Sequence, residues 1–206
     1  MIFEIDSLLD AGGLLSGIDG VIFDLDDTLY SEKDYVRSGY KAVAALFPEL
    51  PDMAERLWAA FEKGLPAIDA VLAEAGLLPR KDEALRAYRF QTPEISLYPA
   101  AAALLEGLRE TKKLGIITDG RPEGQRAKIA ALGLDELVDE IIVTDELGGA
   151  EYRKPCPRAF ELMGSRLGLP YEKLAYVGDN VGKDFIAPAQ LGMRCIHLRN
   201  PDGLYQ

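Results

Sequence analysis

The chain has 206 residues, enough to bury a sizeable core in one large domain or in one domain with an insert. Hydrophobic residues at 48% and charged residues at 28% fit a globular protein, and 23 basic against 34 acidic residues give a net charge of −11. That balance speaks against a protein that coats nucleic acid or an anionic membrane, while an anionic small molecule stays open because local charge can oppose the net.

In chain order, residues 1–17 carry Leu8, Leu9, Leu14 and Leu15 around Gly12-Gly13, a pattern that predicts a short helix and a turn. The opening Met1-Ile2-Phe3-Glu4 lacks the basic start and apolar core of a signal peptide. No apolar run approaches membrane-spanning length. Cys156 and Cys195 have neither metal-ligand spacing nor the look of a disulfide framework, so the expected setting is the cytoplasm.

The informative stretch is Val21-Ile22-Phe23-Asp24-Leu25-Asp26-Asp27-Thr28-Leu29-Tyr30. Its apolar half reads as a short buried strand, and three carboxylates crowd the end of it. Crowded like charges are costly away from water unless a cation holds them, and Mg²⁺ prefers oxygen ligands of this kind. A strand ending in Asp-x-Asp therefore points to a hard-metal site at the carboxyl edge of a sheet, where open α/β sheets bind ligands.

Helical spacing then takes over. Tyr35 to Phe47, Met53 to Phe61, Ile68 to Ala75 and Lys81 to Phe90 are apolar at helical intervals, broken at Pro48, Pro51 and Gly64-Leu65-Pro66. Residues 32–95 are expected to form an all-helical insert, ending near Thr92-Pro93.

From Pro99 the rhythm is helix and strand in turn. Helices are predicted at Pro99 to Glu110, Pro122 to Ala131, Pro157 to Leu167 and Lys183 to Leu191, three of them opened by proline. Strands are predicted at Leu114 to Thr118, Glu140 to Thr144, Leu174 to Val177 and Arg194 to Leu198. With Val21 to Leu25 this gives five short apolar strands and an α/β fold, a doubly wound five-stranded parallel sheet with an inserted helical domain. The domain boundaries are 1–31 with 96–206 for the α/β core and 32–95 for the insert.

Chemistry recurs where these strands end. Thr118-Asp119-Gly120 precedes a helix, combining a hydroxyl with free backbone N–H groups, a natural anion cradle. Lys154 stands between Arg153 and Pro155, with Pro157 close behind, where stiff backbone limits its freedom. A fixed ammonium binds phosphate oxygens and neutralises carboxylates. Gly178-Asp179 repeats at a strand end what Asp24 does, and Asp184 follows at the start of a helix, where a carboxylate is also an ordinary N-cap.

In this order, the chain resembles the haloacid dehalogenase (HAD) superfamily of phosphohydrolases from about residue 19 to 200. Asp24-Leu25-Asp26-Asp27-Thr28 is similar to that family's first motif, Thr118 to its second, Lys154 to its third, and Gly178-Asp179 with Asp184 to its fourth. The insert is similar to the family's smaller, C1-type helical cap. Asp119 is a departure, since many relatives carry asparagine after the motif-two hydroxyl; the position is read as contributing backbone contacts.

The resemblance implies a HAD-like Rossmannoid core and a Mg²⁺-dependent phosphatase acting on a small phosphorylated metabolite, a sugar phosphate or nucleotide-like monoester. It implies Asp24 as nucleophile forming an aspartyl-phosphate, and Asp26 as general acid and base. Mg²⁺ is expected on Asp24, the backbone carbonyl of Asp26, Asp179 and Asp184, and the phosphoryl oxygens on Thr118, Asp119, Gly120 and Lys154. Displacing halide needs no proton donor, so a second aspartate at position 26 argues for phosphate chemistry over dehalogenation. A phosphoglucomutase-like transferase needs the same acid and base and stays open at this point. A non-catalytic binding protein has no need of the nucleophile and the acid together. His197, the sole histidine, and Trp58 are expected to be structural.

Overall fold

The computed structural model describes residues 1–204 of the chain. Strands β1 (Ile2–Ile5), β2 (Gly20–Phe23), β3 (Lys113–Thr118), β4 (Glu140–Val143), β5 (Leu174–Gly178) and β6 (Arg194–Leu198) form one sheet in the order β1-β6-β5-β2-β3-β4. Every pairing is parallel. The fold is α/β as the sequence predicts, with six strands in place of five.

The added strand is β1, in a segment read as helix and turn. Its four residues sit at the sheet edge and only Ile5 is buried, so the apolar signal of a central strand is missing. The helical part of that expectation survives as a 3-10 segment, Leu8–Leu14, where the Ser7 hydroxyl accepts from the Leu9 N–H at 3.3 Å.

Helices α1 (Glu32–Ala44), α2 (Met53–Glu62), α3 (Ala67–Glu74) and α4 (Lys81–Arg89) occupy the predicted insert. Then come α5 (Pro99–Leu108), α6 (Pro122–Ala131), α7 (Arg158–Leu167) and α8 (Ile186–Leu191) between the later strands. Helix α8 is shorter than the predicted Lys183 to Leu191. Lys183 and Asp184 lie in the turn before it, and the position preceding α8 is Phe185, so Asp184 is not an N-cap. The Asp184 carboxylate instead accepts the Asn180 N–H at 3.0 Å and is fully buried.

The chain divides into two compact units, Met1–Glu32 with the chain from Ser96 on, and Lys33–Ile95. The helical unit has its own core, in which Val36, Tyr40, Phe47, Leu57, Val71 and Leu72 are buried and against which Trp58 packs. In the α/β unit, Ile22, Ile117, Phe160, Met163 and Tyr176 share a core between the sheet and α7. Among the described residues no helix is long and apolar enough to cross a membrane.

Strand order sets the place of the site. From β2 the chain winds outward through β3 and β4 on one side, while β5 and β6 build the other. Strands β2 and β5 thus flank a topological switch point, where an α/β sheet opens a crevice at its carboxyl edge. Phe23 is level with Val177 and with Ile116, and the Asp24 N–H continues the ladder to the Val177 carbonyl at 2.9 Å. The residues that follow these three strands are therefore neighbours.

Candidate active site

Beyond β2 the chain turns sharply. Asp27 adopts φ 55°, a left-handed conformation that aspartate tolerates better than most residues. Its buried carboxylate ties the turn, accepting the Glu32 N–H at 2.9 Å and the Leu204 N–H at 2.7 Å. The turn leaves Asp24 and Asp26 on a cleft of about 350 Å³ that Glu32, Asp119, Lys154, Asp179 and Lys183 also line.

Asp24, Asp179 and Asp184 come together as sequence predicts. Each is buried, and a carboxylate oxygen from each lies within 4.8 Å of the others. Burial, with repulsion from Asp184, pushes the Asp24 carboxyl up to about 6 even though Lys154 opposes the shift. Burial, Asp24 and Asp184 push Asp179 up to about 7. Three buried oxygen donors that repel one another suit a hard divalent cation, which removes the repulsion and replaces the lost water. Thr28 donates to Asp179 Oδ1 at 3.2 Å, and His197 Nε2 lies 3.0 Å from the Asp179 carbonyl, fixing the end of β5.

Lys154 is where the third motif predicts. Its fully buried ammonium pairs with Asp24, contacts Asp184 Oδ1 at 2.8 Å and donates to the Tyr176 hydroxyl at 3.0 Å. Burial works against its charge, yet Asp184 and Asp24 hold it well above the usual lysine range. Gly178 makes room for this arrangement, because a Cβ there would stand 2.5 Å from Asp184 Oδ2.

Thr118 is fully buried at the end of β3, and its Oγ1 accepts from Gln125 Nε2 at 2.8 Å, so its own proton points elsewhere. The neighbouring Asp119 does more than its backbone reading suggests. Oδ1 accepts from the Thr144 hydroxyl at 3.0 Å and the Lys154 N–H at 3.1 Å, and Oδ2 faces Lys183 Nζ at 3.3 Å. An asparagine would turn an NH₂ group on that ammonium, which accounts physically for aspartate here. Gly120 takes φ 135°, a backbone conformation that favours glycine.

Asp26 faces the same cleft in different company. The metal expectation for Asp26 concerns its backbone carbonyl, and its carboxylate stands outside the three-carboxylate group. Oδ1 receives the Lys128 ammonium at 2.7 Å and the Tyr30 hydroxyl at 2.5 Å, and Oδ2 receives Gln125 Nε2 at 2.9 Å. Burial pushes this carboxyl up, but attraction to Lys128 and the hydrogen bonds from Lys128, Tyr30 and Gln125 overcome it and leave the group low.

Sequence reasoning missed Tyr30, Glu32, Gln125, Lys128 and Lys183. The available signal was the i, i+3 spacing of Gln125 and Lys128, which puts both on the face of α6 that carries Ile129. Polar residues on an apolar helix face call for a buried partner.

A family model, haloacid dehalogenase-like hydrolase, matches residues 18–192. A glyceraldehyde 3-phosphate phosphatase of Methanocaldococcus jannaschii is 30% identical over 196 residues, 88% of this chain and 85% of the relative. A phosphoserine phosphatase of Thermus thermophilus is 30% identical over 218 residues, 85% of this chain and 86% of the relative. Among solved structures, a 2-haloacid dehalogenase of Pseudomonas syringae superposes with a TM-score of 0.61 at 24% identity, over 87% of this chain and 86% of that one, and shares the fold.

Proposed function

The chain belongs to the haloacid dehalogenase-like hydrolase family, and from that premise we propose that it is a Mg²⁺-dependent phosphatase cleaving a small phosphomonoester through an aspartyl-phosphate on Asp24. The observation that carries this reading is a pair of carboxylates two residues apart with opposite surroundings. Asp24 sits in the three-carboxylate cluster beside Lys154, and Asp26 is held apart by donors of its own. Environments that separate two carboxylates assign them separate tasks.

In the first half-reaction an Asp24 oxygen attacks phosphorus, the bond from phosphorus to the ester oxygen breaks, and Asp26 gives that oxygen its proton. Asp26 is held as an anion in the free site; the dianionic phosphate of a bound substrate raises its pKa and favours the proton it then donates. In the second half the Asp26 anion takes a proton from water, the water oxygen attacks phosphorus, and phosphate leaves Asp24. The proton returned to Asp26 closes the cycle. Thr118, Asp119, Gly120, Lys154 and Lys183 set the phosphoryl oxygens through their donor groups and local charge. Mg²⁺ on Asp24, Asp179 and Asp184, with the backbone carbonyl of Asp26, would supply charge neutralisation and a template for those oxygens.

The substrates named for the relatives, glyceraldehyde 3-phosphate and phosphoserine, favour a three-carbon ester. The α/β unit carries this chemistry. Two free cysteines, Cys156 and Cys195, fit a reducing cytoplasm. The test is phosphate release from a panel of small phosphomonoesters, with and without Mg²⁺, by wild type and Asp24→Asn. Release that requires Mg²⁺ and disappears in the variant is expected. Release that survives in Asp24→Asn refutes the nucleophile, and a folded, Mg²⁺-loaded protein that releases nothing from any ester refutes the phosphatase.

A further inference from the structure

Resting on the acid–base role proposed for Asp26, we infer that Lys128 and Gln125, on the inner face of α6, are positioning residues that orient this carboxylate toward the ester oxygen. Neither belongs to any of the four motifs, and both are buried. Lysine is seldom buried without a specific partner, and the partner here is Asp26 Oδ1 at 2.7 Å. Gln125 takes the other oxygen at 2.9 Å, so donors from one helix grip both sides of the carboxylate. The Tyr30 hydroxyl adds a third bond from the turn after β2.

The grip extends to the phosphate side. The same Gln125 amide nitrogen contacts Thr118 Oγ1 at 2.8 Å and the Asp119 carbonyl at 2.5 Å. One side chain therefore fixes the distance between the acid–base carboxylate and the hydroxyl expected to hold a phosphoryl oxygen. Gly120 is part of the device, since a Cβ at that position would stand 3.2 Å from Gln125 Nε2. A general acid acts only within hydrogen-bond reach of the atom it protonates, so a carboxylate released from this frame loses the reaction geometry while keeping its chemistry.

The experiment compares an alkyl phosphate with p-nitrophenyl phosphate, whose leaving group departs without a proton. kcat/KM covers formation of the phosphoenzyme, in which only the alkyl ester needs the acid. Lys128→Met is expected to lower kcat/KM on the alkyl ester by on the order of 10–100-fold and to change it little on the aryl ester. kcat on both falls wherever attack of water on the phosphoenzyme is limiting, because that step uses Asp26 as base. Gln125→Met is expected to show the same split more weakly, which keeps the inference testable where Lys128→Met folds poorly. Lys128→Arg, which keeps the charge, should restore part of the alkyl-ester rate.

Equal losses of kcat/KM on both esters would mean that Lys128 and Gln125 serve only the fold, and would overturn the inference. No loss on either would do the same. Asp26→Asn in parallel separates the two levels. If it shows the split and the α6 variants do not, only the positioning role falls. If Asp26→Asn itself shows no split, the acid–base reading falls and the inference with it.

Discussion

Replacing Glu32 by glutamine removes a carboxyl from the cleft while keeping its size and the N–H that Asp27 caps at 2.9 Å. Burial, then repulsion from Asp26, Asp27 and Asp24, pushes the Glu32 carboxyl up to about 8 from its ordinary 4.5. A group raised in this way binds its proton more tightly folded than unfolded. Its contribution to stability is complete below pH 4.5 and is lost as pH rises through about 8. The interval from 4.5 to about 8, at about 1.4 kcal/mol per pH unit, sets a ceiling of about 5 kcal/mol. Solvent screening at this partly exposed residue lowers the expected change to about 2–3 kcal/mol. The assay is urea unfolding in EDTA at pH 5 and pH 8, followed by far-UV circular dichroism, for wild type and Glu32→Gln. Asp24 and Asp179 titrate in both proteins, so most of their contribution cancels in the difference. The variant should gain on wild type by about 2–3 kcal/mol between the two pH values. A difference that stays constant would refute the placing of Glu32 among these charges.

Gly178→Ala sets a methyl 2.5 Å from Asp184 Oδ2 at the end of a buried strand. It should cost about 1–3 kcal/mol in urea unfolding and weaken Mg²⁺ binding measured by calorimetry; unaltered affinity would count against Asp184 as a ligand. Lys154→Met strands the buried Asp24 and Asp184 carboxylates, at a cost of about 3–5 kcal/mol in EDTA, and Mg²⁺ should recover part of it by mass action. A melting temperature unaffected by Mg²⁺ in that variant would show that the cation does not replace the ammonium.

The sheet was legible where strands are buried on both faces. Val21 to Phe23, Leu114 to Thr118 and Leu174 to Val177 are continuous apolar runs and lie in the centre of the sheet. Ile2–Ile5 was not legible, because an edge strand with one buried residue leaves no such run. The same contrast holds in the site. Asp24, Lys154 and Asp179 stand at the ends of legible strands or beside paired prolines, so their meeting in one cleft could be expected from order alone. Lys128 and Gln125 look in sequence like ordinary helix residues, and only the fold, which brings α6 beside the turn after β2, gives them a carboxylate to hold. Asp119 was underread for the opposite reason. Its motif suggested a backbone role, whereas its side chain joins Thr144, Lys154 and Lys183, contributed by three other segments.

The charge of the cleft bears on how such an acidic protein takes up a phosphate dianion. Asp24, Asp26, Glu32, Asp119 and Asp179 line it against Arg153, Lys154 and Lys183, an excess of two negative charges when all are ionised. All three cations are already engaged by carboxylates, most closely Lys154 by Asp24 and Arg153 by Asp145 at 2.7 Å. Lys183 Nζ faces Asp119 at the longer distance of 3.3 Å, which leaves it the least tightly held of the three. A bare cleft of this composition repels a dianion, whatever hydrogen bonds its walls offer. A divalent cation on Asp24, Asp179 and Asp184 offsets two of the negative charges of the cleft and its floor, and a proton on Glu32 offsets one more. The raised carboxyls of Asp24, Asp179 and Glu32 are what the proposed Mg²⁺ site requires, since a cation bound ahead of phosphate would relieve their mutual repulsion. The same logic explains why Asp26 is secured separately. In the proposed mechanism, its ion pair with Lys128 would keep one carboxylate out of the competition for the cation and leave it to exchange a proton with the ester oxygen and then with water.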